Sequence, residues 1–240
     1  MKKIFLCLSV LLSLSLLCEA KTKIYLIGDA TLASHSVASL DSYGWGGAFA
    51  QCVTSKVDVE NHAKAGESTH TLVDKRLAKI LASSNPDDIV LLQIGQNDMR
   101  MDRSNMYYST EEMVEKLIKI LDFLSKKELK VVLATPLAQP FYRQGELVDR
   151  MGSYPESIRR VAKAKNIPLL DLHRATYQWL KEIGEDEAKK YFMHVSDSPA
   201  RIEYNLTEAG SQEVCKIALK ELKKSKIRIF NRYLIDSAIP

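Results

Sequence analysis

The sequence predicts an α/β protein, a doubly wound five-stranded parallel sheet with helices on both faces. Two observations support this prediction: five short apolar segments alternate with amphipathic segments, and polar motifs follow directly after three of the apolar segments. Strands that alternate with helices form parallel sheets with right-handed crossovers. In such sheets, ligands bind beyond the carboxyl ends of the strands, which is where these motifs fall.

The predicted strands are short and rich in aliphatic residues. They cover residues 23–27, 57–61, 88–94, 130–135 and 168–171. The third and fourth strands contain nearly continuous apolar runs, at residues 89–92 and 131–134. Such runs are typical of strands that are buried on both faces of a parallel sheet.

Capping signals mark three of the helices. Ser109 with Glu112, and Ser153 with Glu156, have the spacing of a capping box. Thr207 is predicted to cap the last long helix. Two further helices are predicted over residues 69–81 and 174–183, and the apolar stretch in the tail 226–240 has no predicted place.

The first 20 residues have the features of a secretory signal peptide. A lysine pair precedes an apolar stretch that is too short to span a bilayer, and residues 18–20 resemble a cleavage site. We expect cleavage after Ala20, export to the periplasm or the exterior, and one domain over residues 21–240. Cys18 offers the alternative of a lipoprotein, but the residue types before it do not fit such a site.

Charge and cysteine content exclude several classes of function. Loss of the leader lowers the formal net charge from +4 to +3, and the basic residues form no concentrated stripe, so we predict no nucleic-acid partner. No later apolar run would insert stably into a membrane. Cys52 and Cys215 are either two buried thiols or a disulfide. No zinc-ligand spacing occurs, and neither a metal nor a cofactor is predicted.

Three polar motifs carry the chemistry of the chain. They are Gly28-Asp29-Ala30-Thr31, Ala65-Gly66-Glu67-Ser68 and Gly95-Gln96-Asn97-Asp98. A strand that runs into a tight turn and then a helix is where serine hydrolases place the attacking hydroxyl. Here that position is Ala30, whose methyl group can neither attack a carbonyl nor form an acyl intermediate.

In order and spacing, these motifs resemble the SGNH/GDSL hydrolases, and more narrowly the rhamnogalacturonan acetylesterase group of carbohydrate esterases. The resemblance covers nearly the whole chain after the leader, and includes Gly44-Trp45-Gly46-Gly47 and Thr135-Pro136. It implies a three-layer sandwich of the flavodoxin type and acyl transfer by a Ser-His-Asp triad. It also implies three oxyanion donors: the backbone N–H groups of Ala30 and Gly66, and the side-chain amide of Asn97.

This chain differs from the family at the residues that transfer the proton. The family has Asp-x-x-His before its last helix, and Thr207 with Gly210 fixes the corresponding register here. Asn205 then falls on the histidine and Ile202 on the aspartate, so the triad is degenerate. The family's third-motif histidine is replaced by Gln96.

Several other residues near the motifs are candidates. Asp29, Thr31, Gln96 and His194 are predicted ligand contacts. Thr31 is an alternative nucleophile, although a role in bracing the turn is favoured. His194 with Asp197 is an alternative base and orienter, although a structural loop is favoured.

The remaining aromatic and histidine residues near strand ends have ordinary interpretations. His35, His62 and His70 are expected to be partly solvated loop residues. Phe141, Tyr142 and Arg143 follow the fourth strand, where they either contact a sugar or anchor a loop.

Three hypotheses of function follow from these residues. The first is a non-catalytic protein that binds a polysaccharide or oligosaccharide of the acetylated pectin type, in a cleft that retains the oxyanion donors. The second is an active carbohydrate O-acetylesterase with relocated catalytic residues. The third is an interaction subunit for an active partner.

Overall fold

The computed structural model describes residues 21–34, 42–72, 74–194, 202–224 and 227–235. The predicted leader, His35 and Asp197 lie outside the described residues. No helix in the described part of the chain is both long and apolar enough to cross a membrane.

Strands and helices alternate along the chain as the sequence predicts. The strands are β1 (Thr22–Ile27), β2 (Val57–Asn61), β3 (Ile89–Gln93), β4 (Lys130–Ala134), β5 (Tyr142–Arg143), β6 (Glu146–Leu147), β7 (Leu169–Leu170), β8 (Phe192–His194) and β9 (Ile202–Leu206). The helices are α1 (Trp45–Phe49), α2 (Asp74–Ile80), α3 (Thr110–Lys126), α4 (Tyr154–Ala164), α5 (Leu172–Ala188), α6 (Glu208–Lys224) and α7 (Arg228–Asn231), and a short 3₁₀ turn covers Ala50–Cys52.

The central sheet is parallel and has the order β2-β1-β3-β4-β7. The chain therefore adds β2 on one side of β1 and then β3, β4 and β7 on the other, which is the single reversal of a doubly wound sheet. Two antiparallel hairpins, β5–β6 and β8–β9, lie outside it. The predicted fold class is confirmed.

Each face of the sheet covers its own apolar core because side chains alternate along a strand. In β1, Ile24 and Leu26 belong to a core shared with α1, α5 and α6. Tyr25 and Ile27 point to the opposite face and belong to a core shared with α2, α3 and α4. Both faces are thus buried, which explains the continuous apolar runs of the inner strands.

Two of the three predicted caps are confirmed. The Ser109 hydroxyl accepts from the Glu112 N–H at 3.2 Å, and Glu112 accepts from the Ser109 N–H at 2.8 Å. Thr207 accepts from the Gly210 N–H at 3.1 Å at the start of α6. The capping box predicted at Ser153 is wrong, because that hydroxyl instead pairs with the Thr110 hydroxyl at 2.7 Å.

The helix predicted over residues 69–81 is shorter than expected. It begins at Asp74, because the preceding residues form turns that use their hydroxyl groups locally. Thr71 Oγ1 accepts from the Ser68 N–H at 2.8 Å, in competition with helical bonding. The helix predicted over 174–183 is longer than expected and includes non-helical dihedral angles at Gly184.

Residues 227–235, the described part of the tail that had no predicted place, pack on the core of α1 and α6. Phe230 in α7 is fully buried and meets Phe49 edge-on, with ring centroids 5.9 Å apart. The Ile235 N–H donates to the Cys52 carbonyl at 2.9 Å. Cys52 and Cys215 are free thiols in the structure, and burial together with the neighbouring Cys52 raises the pKa of Cys215.

Candidate functional site

The three polar motifs meet at the carboxyl edge of the sheet. They follow β1, β2 and β3, which are neighbouring strands. Backbone hydrogen bonds join them: the Lys64 N–H donates to the Gly28 carbonyl at 3.0 Å. The Asn97 amide donates to the Glu67 carbonyl at 2.9 Å. The three motifs therefore lie together at this edge of the sheet, and that they form a binding site stays a prediction.

The turn after β1 is held by a buried chain of hydrogen bonds. Asp29 Oδ1 accepts from the Thr31 N–H at 2.8 Å and from the Thr31 hydroxyl at 2.7 Å. Gln93 Nε2 donates to the Thr31 hydroxyl at 2.6 Å, and the Trp45 indole donates to Gln93 Oε1 at 2.8 Å. All four residues are fully buried. These hydrogen bonds fix the backbone at Ala30, a residue that is itself half-buried.

Gly44 connects this turn to the hairpin β8–β9. A Cβ at Gly44 would lie 2.1 Å from the Ala33 carbonyl oxygen and 2.7 Å from the Ala30 carbonyl oxygen, so only glycine permits the approach. The adjacent Tyr43 N–H donates to the Leu206 carbonyl at 3.1 Å. β9, which carries Ile202 and Asn205, therefore lies beside the segment that packs on the first motif.

The second motif contains a buried ion pair. Gly66 has φ +80°, in the left-handed region that favours glycine. The next residue, Glu67, is fully buried, and its carboxylate accepts from Arg76 Nε at 2.5 Å and from the Thr71 hydroxyl at 2.8 Å. Arg76 also donates to the His62 carbonyl at 2.9 Å. A cation from α2 thus neutralises the buried acidic residue of this motif.

The third motif is tied to the second through Asp98. Asp98 Oδ1 accepts from the Thr69 N–H at 2.9 Å and from the Thr69 hydroxyl. Gly95 has φ +111°, and Asn97 is 2% exposed. The loop therefore presents the Asn97 amide from a rigid backbone, beside the segment that contains Gly66.

Burial shifts the pKa values of the two motif aspartates. Burial raises the pKa of Asp29 to about 6, with the Thr31 hydrogen bonds opposing the shift and the Glu67 carboxylate adding to it. Burial also raises the pKa of Asp98 to about 6, against the bonds from Thr69. Among the described residues, Asp29 Oδ2, Asp98 Oδ2 and both polar atoms of the Gln96 amide are buried without a hydrogen-bond partner.

The predicted ligand contacts differ in their surroundings. Asp29, Thr31 and Gln96 are fully buried, and the first two are engaged in the turn described above. The His194 backbone pairs with Ile202 in the hairpin β8–β9. Direct contact of these four residues with a ligand stays a prediction.

The histidines near the strand ends have partners within the protein. His62 Nε2 lies 3.2 Å from Glu60 Oε2. The His70 ring stacks on Tyr108 with centroids 4.4 Å apart. Tyr142 anchors its loop, because its hydroxyl donates to the Leu180 carbonyl at 2.8 Å.

One polar cluster is absent from the sequence predictions. His173 follows β7 and is buried; its Nε2 lies 3.2 Å from Asp149 Oδ1, and its Nδ1 lies 3.3 Å from Arg159 Nη2. Burial lowers the pKa of His173. Arg159 also donates to both carboxylate oxygens of Asp171, at 2.9 Å each. The sequence offers one signal for this cluster, namely that Asp171 and His173 follow a predicted strand.

No group of three or more histidine, cysteine or acidic residues within the described ranges could hold a metal ion. That donors of these motifs stabilise negative charge on a ligand oxygen stays a prediction.

Comparison with known proteins gives a consistent assignment. Residues 26–202 match the profile of the GDSL-like Lipase/Acylhydrolase family. The chain is 29% identical over 211 residues to rhamnogalacturonan acetylesterase RhgT of Bacillus subtilis (strain 168), covering 84% of this chain and 90% of the relative. It is 28% identical over 203 residues to the probable rhamnogalacturonan acetylesterase YesY of the same organism, covering 84% and 92%.

Solved structures agree on the fold. The crystal structure of YxiM from Bacillus subtilis superposes with a TM-score of 0.72 at 21% identity, and the match covers 86% of this chain and 57% of that one. A catalytic mutant of Axe2, an acetylxylan esterase from Geobacillus stearothermophilus, superposes with a TM-score of 0.61 at 18% identity, covering 84% and 94%.

Proposed function

The chain belongs to the GDSL-like lipase/acylhydrolase family, and from this premise we propose that it binds acetylated, pectin-type polysaccharide without hydrolysing it. The observation that carries the proposal is Ala30, which stands at the turn where the family's nucleophile is expected. A methyl group has no lone pair with which to attack an ester carbonyl and no proton to give to a base.

The residues of β9 support the same proposal. By the resemblance described above, Asn205 stands at the position of the general base and Ile202 at that of its orienter. An amide does not accept a proton near neutral pH, and an aliphatic side chain cannot orient an imidazole. Since the loss of one triad member already cripples acyl transfer, three such positions favour loss of the reaction.

The donors around Ala30 support a binding role. A backbone N–H at Ala30 or Gly66, and the amide of Asn97, would hydrogen-bond a ligand oxygen in its ground state just as they would an oxyanion. The relative RhgT is a rhamnogalacturonan acetylesterase, and YesY is a probable one. Axe2 is an acetylxylan esterase. An acetylated polysaccharide is therefore the ligand class that we assign to this site.

The proposal includes export of the chain. A leader that ends at Ala20 would deliver residues 21–240, as one domain, to the periplasm or the exterior, where polysaccharides of this kind are found. The formal net charge of +3 after cleavage suits an acidic pectic chain.

Acetate release tests the absence of turnover. Purified protein is offered p-nitrophenyl acetate and acetylated pectin, beside two variants: Ala30→Ser alone, and Ala30→Ser combined with Ile202→Asp and Asn205→His. We expect the unmodified chain and the single variant to remain at background. The triple variant should exceed them by roughly 10⁴-fold, because removal of one triad member lowers kcat by about that factor or more.

Calorimetric titration tests the binding half of the proposal. Acetylated pectic oligosaccharides are compared with the same oligosaccharides after saponification, and only the acetylated set should give saturable heat. Acetate release by the unmodified chain would establish an active esterase instead. Absence of binding heat with every glycan would favour an interaction subunit for an active partner.

A further inference from the structure

A large cleft lies between α5 and α6, away from the three motifs. It has a volume of about 1030 Å³, and the residues that line it include none of the motif residues. Most of its lining residues come from these two helices. On α5 the lining residues Ala175, Gln178 and Glu182 recur every three or four positions, as residues on one side of a helix do. On α6, Glu213, Ile217 and others recur in the same way.

Most charged side chains that line the cleft form ion pairs with other lining residues. Five cationic side chains (Arg159, Arg174, Lys216, Lys220, Lys224) and five acidic ones (Asp149, Asp171, Glu182, Glu213, Glu221) line it. Lys216 lies 3.0 Å from Glu213, and Lys224 lies 3.4 Å from Glu221. Because the lining has no net charge and its ions are paired, an ionic ligand gains little there.

Two side chains, one on each helix, are exceptions to this pairing. The Lys220 ammonium makes no ion pair with any residue that the structure describes. The Glu182 carboxylate accepts from the Gln178 amide at 2.8 Å and pairs with no cation in the same part of the chain. One helix thus offers a free donor and the other an acceptor with spare capacity. A hydroxyl group, which both donates and accepts, satisfies both.

Two fixed aromatic side chains complete the lining. Trp179 is half-buried and packs against Tyr191, with ring centroids 5.1 Å apart, and against Phe192 at 6.1 Å. Tyr177 is also half-buried, and its hydroxyl donates to the Leu147 carbonyl at 3.3 Å. Rigid aromatic rings bind apolar faces at a low cost in conformational entropy. The C–H face of a sugar ring is such a surface.

We propose that this cleft is a second carbohydrate site, which binds a neutral oligosaccharide. The aromatic rings would stack on sugar rings, while Lys220 and Glu182 would hydrogen-bond their hydroxyl groups. The volume lies at the upper end of the range of about 300–1,000 Å³ for small-molecule pockets, so the site has room for more than one sugar ring. Neutrality separates this ligand from the acidic pectic chain assigned to the motif site.

Tryptophan fluorescence tests the proposal directly. The chain has two tryptophans, and Trp45 is fully buried, so quenching by acrylamide reports on Trp179. Xylohexaose is the neutral probe, and a galacturonate hexamer is the acidic comparison. We expect xylohexaose to protect Trp179 from quenching in a saturable way that 0.5 M salt does not change, and the galacturonate hexamer to protect it at least tenfold less well.

Two lysine variants of α6 locate the site. Lys220→Ala should weaken xylohexaose binding roughly tenfold, since it removes a charged hydrogen-bond donor. Lys223→Ala is the matched control, because Lys223 is an exposed lysine on the same helix that does not line the cleft. Absence of protection, equal or stronger protection by the acidic hexamer, or equal binding by the two variants would each overturn the proposal. Pectin binding at the motif site is measured separately by calorimetry, so the two proposals fail independently.

Discussion

The motif side of the site and the β9 side are built in different ways. On the motif side, Asp29, Thr31 and Asp98 are fully buried, and their side chains hold the loops through hydrogen bonds. On the other side, β9 is held through backbone pairing with β8 and with Tyr43. The fold therefore depends on the side chains of the motifs, while the backbone pairing of β9 accepts many residue types.

If the triad is lost as proposed, this difference explains why the three motifs remain. An aliphatic substitution at Asp29 or Asp98 removes the acceptor that fixes a turn, so it damages folding. Ala30 keeps the same backbone N–H as a serine, and strand pairing at Ile202 needs only its backbone groups. Because the motif side chains also hold the loops, motif content does not distinguish folding from binding, and the proposed function must be tested by ligand binding.

The largest effect on stability is expected when the buried ion pair of the second motif is broken. Arg76→Met leaves the fully buried Glu67 carboxylate without its cation, so we expect a loss of roughly 3 to 5 kcal/mol in the free energy of unfolding. Urea denaturation at pH 7 measures it. The double variant Arg76→Met, Glu67→Gln is the control, and it should recover most of the loss. A single variant as stable as the unmodified protein would show that Glu67 does not need its partner.

The next largest effect is a pH dependence of folding stability, which comes from the aspartates of the same motifs. Because burial holds the pKa of Asp29 at about 6, above the ordinary value near 4, the folded state binds a proton that the unfolded chain has released. The contribution of Asp29 to the free energy of unfolding is fully present below pH 4 and is lost as the pH rises through 6. The loss is about 3 kcal/mol for this group. Asp98 behaves in the same way.

Asp29→Asn isolates this contribution, since an amide oxygen can still accept from Thr31. Over pH 4 to 7, we expect the stability of the variant to fall by about half as much as that of the unmodified protein, with Asp98 supplying the remainder. Denaturant midpoints at half-unit pH steps measure it. Parallel curves for the two proteins would contradict the assignment to Asp29.

A smaller effect sharpens the role of backbone geometry in the second motif. At Gly66, φ is +80° and an added Cβ would lie 2.8 Å from Met106 Cε. Gly66→Ala should therefore cost about 1 to 2 kcal/mol, from the strained backbone and the displaced methionine. The variant Gly66→Ala, Met106→Ala separates the two causes, because it relieves the contact and keeps the strain. A Gly66→Ala variant of unchanged stability would contradict this account.

The fold could be predicted because its signals are local. The apolar runs at residues 89–92 and 131–134 gave β3 and β4 to within two residues, and Ser109 with Glu112 capped α3 as expected. Ser153 has the same spacing with Glu156 but bonds to Thr110, which lies 43 positions away. The sequence pattern alone does not contain that competing partner.

The site was predictable to the extent that it follows strand ends. The positions of the three motifs required only the order of the strands. The buried pairing of Glu67 with Arg76 and the cluster around His173 depend on contacts between separate elements. His173 meets Asp149 and Arg159 only because β7, α4 and the loop before α4 converge, and no spacing in the chain expresses that convergence.

The smallest expected effect tests the β9 side. Thr207 joins β9 to α6: its hydroxyl accepts from the Gly210 N–H and donates to the Lys190 carbonyl at 2.8 Å. Thr207→Ala should cost about 1 kcal/mol in the free energy of unfolding, the usual value of an N-cap, and Thr207→Ser should restore it. If Thr207→Ala costs as much as Arg76→Met, then side chains hold the β9 side as firmly as the motif side, and the contrast between the two sides is wrong.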